Sequence, residues 1–159
     1  MRRLSRRKLL RVIDAGRIKK VVEAAERQTS GEIRVSLSTF FWGSPQKVAE
    51  KAFARLGMAK TDARNGVLFF VVPSRRRFVI LGDEGIHAKV GQEFWDRLSE
   101  VMSEKFKVGE FTEGLVQGLE EAGRILAAHF PYDARTDRNE LLDDIDIDGG
   151  RSPKNRQDA

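Results

Sequence analysis

Apolar and polar residues follow two different periods along the chain, and these periods predict seven secondary-structure elements. Ile18, Val22 and Ala25 recur at helical spacing behind Asp14, so we expect a helix that begins at an Asp cap and stops near Gly31. The next segment, EIRVSLSTF, alternates apolar with polar residues, which predicts a strand covered on one face only. The chain thus opens with a helix and a strand.

The middle of the chain predicts a second helix and then two strands in a hairpin. Ser44 and Pro45 are typical of a helix start, and the helix should run through QKVAEKAFARLGM. GVLFFVV is apolar at every position after its glycine, which indicates a strand covered on both faces. PSRRR separates this strand from FVILG and is too short for the crossover that a parallel pair requires, so the two strands should be antiparallel.

Two amphipathic helices complete the pattern. Apolar residues recur at helical spacing from Ile86 to Phe106, which predicts one long helix, and again from Leu115 to His129, with VGEF between them. The order of elements predicts an α/β fold: a three-layer α/β/α sandwich with a small mixed sheet (a parallel pair plus an antiparallel hairpin) and helices on both faces. We expect the folded domain at 14–132, between a basic N-terminal arm at 1–13 and a disordered acidic tail at 133–159.

Five polar side chains are expected at one edge of this sheet. If the first two strands are parallel, their starts share an edge, and the third strand returns to that edge at its end. The side chains are Glu32, Asp62, Asn65, Asp83 and Glu84. Oxygen ligands suit Ca²⁺ or Mg²⁺, so this edge is a candidate divalent-cation site. The alternative is a turn in which Asp83 caps the next helix and Glu84 favours its dipole.

Charge is distributed unevenly along the chain. The net charge is +5, but the first twenty residues contain nine Lys or Arg against one Asp. The arm could therefore bind nucleic acid or an anionic surface through charge alone. Its basic residues before residue 12 are Arg2, Arg3, Arg6, Arg7, Lys8 and Arg11. A solvated arm, or one folded against the acidic tail, is the alternative.

Two compositional features narrow the classes of protein. The chain has no Cys, which excludes disulfides, thiolate metal ligands and cysteine nucleophiles. SRRKLLR resembles a twin-arginine export signal, but no apolar segment of about 7–15 residues follows it. No stretch is long and apolar enough to span a membrane either. We therefore expect a cytoplasmic protein, and we expect a monomer.

Three segments resemble the TPM domain family: TSGEIRV, RNGVLFFVVPSRRRFVILGDEGI and FKVGEFTEGLVQGLEEAGRIL. The resemblance covers Asp14 to about Tyr132, and FPYDARTDRNELLDDI is similar to the tail of a stand-alone cytoplasmic bacterial subgroup. It implies an α/β/α sandwich, divalent-cation binding as in some members, and acid phosphatase activity as in a plant member. Asp83 and Asn65 are the positions that the resemblance itself assigns to the cation site.

The predicted function is a Ca²⁺- or Mg²⁺-binding module. A protein partner is also expected as an option, and the sequence does not specify it. A metal-dependent, phosphatase-like hydrolase is the alternative, with Asp83 as ligand and Glu84 or Asp62 as general base. A nucleic-acid or membrane-surface adaptor that works through the arm is the second alternative. His87 follows the acids and is interpreted as a partly exposed helix residue, with contact to a bound ligand as the alternative. His129 is interpreted as the end of the last helix.

Two further motifs are interpreted as structural. DIDIDGG, from Asp144 to Gly150, copies the first half of a calcium loop, but Asn155 stands where a bidentate Glu is required, so we assign it to the disordered tail. FFWG, from Phe40 to Gly43, is predicted to close the edge of the core, with an exposed partner or membrane contact as the alternative.

Overall fold

A computed structural model describes residues 4–39, 43–133 and 145–148. Within these ranges the helices are α1 (Arg6–Val12), α2 (Ala15–Glu26), α3 (Pro45–Arg55), α4 (Glu84–His87), α5 (Gln92–Lys107) and α6 (Phe111–His129). The strands are β1 (Glu32–Leu37), β2 (Gly66–Val72), β3 (Arg77–Gly82) and β4 (Asp146–Ile147). Short 3₁₀ turns cover Met58–Lys60 and Pro73–Arg75. None of the helices described is long and apolar enough to cross a membrane.

The four strands form one mixed sheet in the order β3-β2-β1-β4. β1 and β2 are parallel, with Glu32 opposite Gly66, and β2 and β3 are antiparallel, with Val67 opposite Gly82. The predicted parallel pair and the predicted hairpin are therefore both confirmed. The acidic residues that follow β3 lie at the edge where β1 and β2 begin.

The sheet is covered on both faces. Val67, Phe69 and Val71 of β2 point into the large core formed with α2, α5 and α6. The alternate residues Leu68 and Phe70 pack against the smaller core beneath α3. All seven residues of β2 are buried, as the uninterrupted apolar sequence predicts. The predicted α/β class, with a mixed sheet and helices on both faces, is confirmed.

β1 differs from its prediction, because all six of its residues are buried rather than only alternate ones. Ile33, Val35 and Leu37 enter the large core. Arg34 and Ser36 point to the other face, where charged partners from α2, α3 and β4 cover them. Period-two alternation predicts that one face is polar, but it does not determine whether that face meets water or other polar side chains.

The long helix predicted from Ile86 to Phe106 is two helices. α4 ends at His87, and α5 begins after Gly91, whose extended backbone (φ −91°, ψ 180°) occupies the N-cap position. Val90 and Phe94 are both buried, so the apolar spacing continues across the break. The spacing of apolar residues is the same in α4 and α5 because both helices face the same core, and the extended backbone at Gly91 separates the two helices.

The basic arm forms part of the folded core. Residues 6–12 are helical, with the Ser5 hydroxyl accepting a hydrogen bond from the amide of Lys8 at 3.2 Å. Leu9 and Ile13, four residues apart, are fully buried in the large core. The interpretation of 1–13 as a solvated arm is therefore wrong for this helix. Its charged residues remain exposed.

Four residues of the predicted disordered tail also belong to the fold. β4 pairs in parallel with β1, placing Asp146 opposite Ser36 and Ile147 opposite Leu37. For residues 145–148 the prediction of disorder is wrong, because Ile147 is buried and both neighbouring acids accept hydrogen bonds from the core. The rest of DIDIDGG and the aromatic residues 40–42 of FFWG lie outside the described ranges.

Candidate functional site

The acidic edge consists of the β3–α4 junction and the loop that precedes β2. The amide of Asp83 donates to the carbonyl of Gly66 at 2.9 Å, which extends the β2–β3 ladder by one pair. The amide of Glu32 donates to the carbonyl of Asn65 at 3.2 Å, which joins the start of β1 to the same loop. The sheet thus places the predicted loops side by side, as the topology argument expected.

Asp83 is the buried centre of this edge, with only 7% of its surface exposed. Its carboxylate accepts two hydrogen bonds from the guanidinium of Arg64, from Nε at 2.6 Å and from Nη2 at 2.8 Å. It also accepts the amide of Glu84 at 2.9 Å, which caps α4. The capping interpretation is therefore correct, and Asp83 has a second, charged partner that the sequence analysis did not assign.

Both glycines of the sequence GDEG permit close contacts at this junction. A methyl group on Gly85 would lie 2.1 Å from the carbonyl oxygen of Ala63, and one on Gly82 would lie 2.2 Å from the indole of Trp95. The amide of Gly85 donates to the carbonyl of Arg64 at 2.9 Å. Gly85 thus allows α4 to pack directly against the loop that carries Arg64, and Gly82 leaves room for the indole of Trp95.

The local backbone holds Arg64 in place beside Asp83. It adopts a left-handed conformation (φ 51°), which is unusual for a residue other than glycine. Thr61 stabilises the turn on both sides, because its carbonyl accepts the amide of Arg64 at 3.2 Å and its hydroxyl accepts the amide of Asn65 at 3.2 Å. The guanidinium remains 41% exposed, so it covers Asp83 from the solvent side.

The electrostatics of Asp83 reflect competition between burial and hydrogen bonding. Burial by itself raises the pKa of the carboxyl group, since the charged form loses its water. The hydrogen bonds from Arg64 and from the Glu84 amide outweigh burial, so the pKa of Asp83 lies below its ordinary value of 3.8. Asp83 is therefore ionised at neutral pH, and Arg64 supplies the balancing positive charge.

Glu84 is the second carboxylate that reaches Arg64. Its Oε1 lies 3.2 Å from Nη1 of the guanidinium, and its side chain is 73% exposed. One guanidinium thus joins two adjacent carboxylates of the β3–α4 junction. Asp62, in the same loop as Arg64, is exposed to solvent.

Glu32 and Asn65 are held in other contacts. Glu32 Oε2 lies 3.2 Å from Nη2 of Arg34, and both side chains are almost fully buried. Asn65 donates its Nδ2 to the carbonyl of Ser30 at 3.3 Å. Among the residues that the structure describes, no three His, Asp or Glu side chains are grouped so that they could hold a metal ion. The structure brings together Asp83 and Glu84, with Arg64 between them.

Two arginines pair with predicted site residues, and the sequence did not assign these pairs. Arg64 neutralises the acidic edge, and Arg34 binds the buried carboxylates of Glu26 and Glu32. One sequence feature could have indicated the role of Arg64, because it lies between the predicted site residues Asp62 and Asn65. Nothing in the local sequence relates Arg34 to Glu26, because their contact depends on how the end of α2 meets β1.

The two histidines lie on different helices. His87 is exposed in α4, and its ring packs against Trp95 at a centroid distance of 5.1 Å. His129 ends α6, as predicted, and lines an open pocket of about 360 Å³ together with Lys89 and Arg97. The interpretation of His87 as an exposed helix residue is confirmed.

Comparison with known proteins identifies the family. The family model for the TPM domain matches residues 6–125, which is most of the chain. The chain belongs to the TPM domain family. The match includes α1, in agreement with the burial of Leu9 in the core. The curated proteins include no sequence that matches this one.

Solved structures agree with this assignment. This TPM domain is similar to the NMR structure of BA42 from the psychrophilic bacterium Bizionia argentinensis, with 38% sequence identity and a TM-score of 0.79. The similarity covers 84% of this chain and 92% of the BA42 chain. The N-terminal domain of a P. gingivalis protein shares the fold at 17% identity and a TM-score of 0.58, over 84% of this chain and 99% of that one. The N-terminal domain of cg2496 from Corynebacterium glutamicum does so at 15% identity and a TM-score of 0.50, over 77% and 73%.

Proposed function

We propose that this TPM domain is a binding module that takes up Ca²⁺ or Mg²⁺ at the acidic edge in exchange for the guanidinium of Arg64. One observation carries the proposal: the carboxylates of Asp83 and Glu84 both contact a single cationic group. The carboxylates of two adjacent residues thus face one position, which the positive charge of the Arg64 guanidinium occupies. Hard carboxylate oxygens are the ligands that Ca²⁺ and Mg²⁺ prefer.

Arg64 is suited to exchange. Its side chain is 41% exposed and therefore free to leave toward solvent, and exposed ion pairs contribute only about 0–1 kcal/mol. A divalent cation would supply twice the charge of the guanidinium at the same carboxylates. Asp62 lies in the same loop and is exposed, so it can add a third carboxylate when the loop adjusts. Glu32 and Asn65, which have other partners, are not required.

The proposal implies weak binding. Two or three carboxylates with the remaining positions taken by water resemble the low-affinity class of protein calcium sites, for which dissociation constants are roughly 10⁻⁴ to 10⁻³ M. Exchange with Arg64 weakens binding further, because the cation must first displace the guanidinium. Removal of the Arg64 side chain should therefore strengthen binding.

Amide chemical shifts during titration with Ca²⁺ and with Mg²⁺ test this exchange. In the wild-type protein the amides of Arg64, Asp83 and Glu84 should shift in the millimolar range. Arg64→Gly removes the guanidinium and also tolerates the left-handed backbone, so it should bind about two- to fivefold more tightly. Asp83→Asn should abolish the response, whereas Glu104→Gln, an exposed change on α5, should leave it unaltered.

Two results would overturn the proposal. One is a wild-type spectrum in which these three amides stay still at millimolar cation. The other is an Arg64→Gly variant that binds no better than wild type although its spectrum shows an intact fold. The phosphatase alternative stays a prediction, and it presupposes the same cation. Phosphate release from an aryl phosphate that is cation-dependent and disappears in Asp83→Asn would support it.

A further inference from the structure

The end of the molecule opposite the acidic edge is strongly basic, and three segments far apart in sequence form it. They are residues 4–13, which include α1; residues 73–77, which form the β2–β3 turn; and residues 105–110, which join α5 to α6. We call these three segments the basic pole. They contain nine Lys or Arg and one acid, Glu110, which pairs with Lys105 at 3.2 Å.

Contacts between the segments make the basic pole one continuous surface. The carbonyl of Thr39 accepts both the amide of Leu4 at 3.3 Å and the hydroxyl of Ser74 at 3.2 Å, which joins the start of α1 to the turn. Nη1 of Arg76 donates to the carbonyl of Lys107 at 2.6 Å, which joins the turn to the end of α5.

A third contact completes the ring. The amide of Asp14, just after α1, donates to the hydroxyl of Thr112 at 3.0 Å, close to the α5–α6 connection. Asp148 also lies near this end, but its carboxylate accepts the amide and the hydroxyl of Thr39 at 2.7 and 2.9 Å. The three segments are thus fixed relative to one another, and their cations cannot spread apart as those of a flexible arm would.

The basic pole also exposes aliphatic side chains. Among the described residues four large hydrophobic side chains are exposed, and three of them lie here: Leu10 at 43%, Val12 at 41% and Val108 at 68%. Leu10 and Val12 lie beside the cations of α1, and Val108 directly follows Lys107. Exposed aliphatic groups surrounded by Lys and Arg are the combination that binds the interface of an anionic bilayer.

We propose that the basic pole docks the protein on the surface of anionic phospholipid membranes. The cations bind the headgroup phosphates and carboxylates, and Leu10, Val12 and Val108 enter the boundary between headgroups and acyl chains. Nucleic acid would use the same charge, but it offers no apolar layer for these three side chains. The acidic edge would then face away from the membrane, since it lies at the opposite end of the sheet.

Sedimentation with lipid vesicles tests this inference. The wild-type protein should bind vesicles of equimolar phosphatidylserine and phosphatidylcholine and should not bind vesicles of phosphatidylcholine alone. Two variants each remove two cations from a different segment: Arg7→Gln/Lys8→Gln on α1, and Arg75→Gln/Arg77→Gln in the turn. Each should weaken binding about 25-fold, because each of the two surface cations contributes about fivefold. A basic arm that acted alone would be unaffected by the change in the turn.

A matched control removes the same charge from the other end of the protein. Lys60→Gln/Lys89→Gln alters two exposed lysines far from the basic pole and should leave vesicle binding within about twofold. Leu10→Ser/Val108→Ser keeps the charge but should weaken vesicle binding roughly tenfold. The effect should be clearest in high salt, where the electrostatic attraction to the lipid is screened. Spectra of each variant establish that the fold is intact.

Three outcomes would overturn the inference. The first is equal binding to both kinds of vesicle. The second is an equal loss in the control variant, which would show that net charge alone determines binding. The third is tighter binding to a DNA or RNA duplex than to vesicles, unaffected by Leu10→Ser/Val108→Ser, which would assign the pole to nucleic acid.

Discussion

Asp83 combines two roles that a sequence presents as alternatives. It caps α4 through the amide of Glu84, and it binds Arg64 through both of its oxygens. The cap fixes the carboxylate in position, and the arginine keeps it ionised although it is buried. The charge and the hydrogen bonds of the buried Asp83 carboxylate are therefore already satisfied by protein groups. The cation exchange that we propose would therefore not be needed for folding.

The pKa of Asp83 predicts how its contribution to stability depends on pH. Because the pKa is lower in the folded state than its ordinary value of 3.8, the ionised carboxylate stabilises the fold above that value. The contribution should be lost as the pH falls from about 4 through the lower, folded pKa. Urea unfolding from pH 7 to pH 2 measures this loss.

Asp83→Asn keeps the cap and removes the charge, so it isolates the electrostatic part of this contribution. It should lower the free energy of unfolding at pH 7 by about 1 kcal/mol, since the partly exposed Arg64 is screened by water. The difference from wild type should shrink in acid. A difference that stays constant down to pH 2 would mean that Asp83 acts through packing alone.

At the scale of elements, the outer edge of β1 is closed by side chains where strand pairing ends. β4 covers only Ser36 and Leu37. Before that point, the Glu26 carboxylate accepts the amide of Ile33 at 3.3 Å, and Arg34 binds Glu26 while also donating to the carbonyl of Ile33. The end of α2 therefore takes the place of a neighbouring strand. Closing the edge in this way blocks pairing with another chain.

Arg34→Met tests this closure. Arg34 is 3% exposed, so its loss would leave the buried carboxylates of Glu26 and Glu32 without their guanidinium, at a cost of about 3–5 kcal/mol. Chemical unfolding monitored by circular dichroism measures the change. Arg97→Met is the control, because Arg97 pairs with Glu121 but its side chain is 64% exposed. This change should lower the free energy of unfolding by less than about 1 kcal/mol. Similar losses in both variants would contradict the account of the edge.

At the scale of the whole molecule, α1 and β4, which are far apart in the sequence, lie at the same end of the sheet. α1 buries Leu9 and Ile13, and β4 places Asp146 between Ser36 and Arg55, whose guanidinium contacts both carboxylate oxygens at 2.9 and 3.0 Å. The folded unit therefore extends beyond 14–132 on both sides. The hydrogen bond from Ser36 to Asp146 joins two residues that are 110 positions apart in the sequence.

Deleting residues 134–159 should lower the free energy of unfolding by at least about 2 kcal/mol, because Ile147 and the hydrogen bonds of Asp146 and Asp148 are lost. It should also expose the β1 edge at Leu37 and promote association, which light scattering detects. Ile147→Ala separates the apolar part and should account for about half of the loss. An unchanged unfolding transition in the truncated chain would show that β4 adds no stability.

The local pattern was sufficient for most of the fold. Seven apolar residues in GVLFFVV required a strand covered on both faces, and PSRRR was too short for anything but a hairpin turn. Together they placed Asp83 at the start of β2, where the structure has it. The break at Gly91 was missed because the same core covers α4 and α5, so the apolar spacing was unchanged across it.

The sequence by itself determined most of the elements, the direction of β1 to β3 and the edge at which the acids gather, because these depend on local periodicity and on the length of connections. The helix α1, the strand β4 and the break between α4 and α5 became visible only in the structure. Only the tertiary structure decided which charges meet. Arg64 neutralises Asp83, Glu32 turns to Arg34, and the arm joins the turn at 73–77 to form one basic pole. Pairings of this kind depend on the orientation of side chains a few ångströms apart, and Coulomb attraction at that distance outweighs any preference that the local sequence expresses.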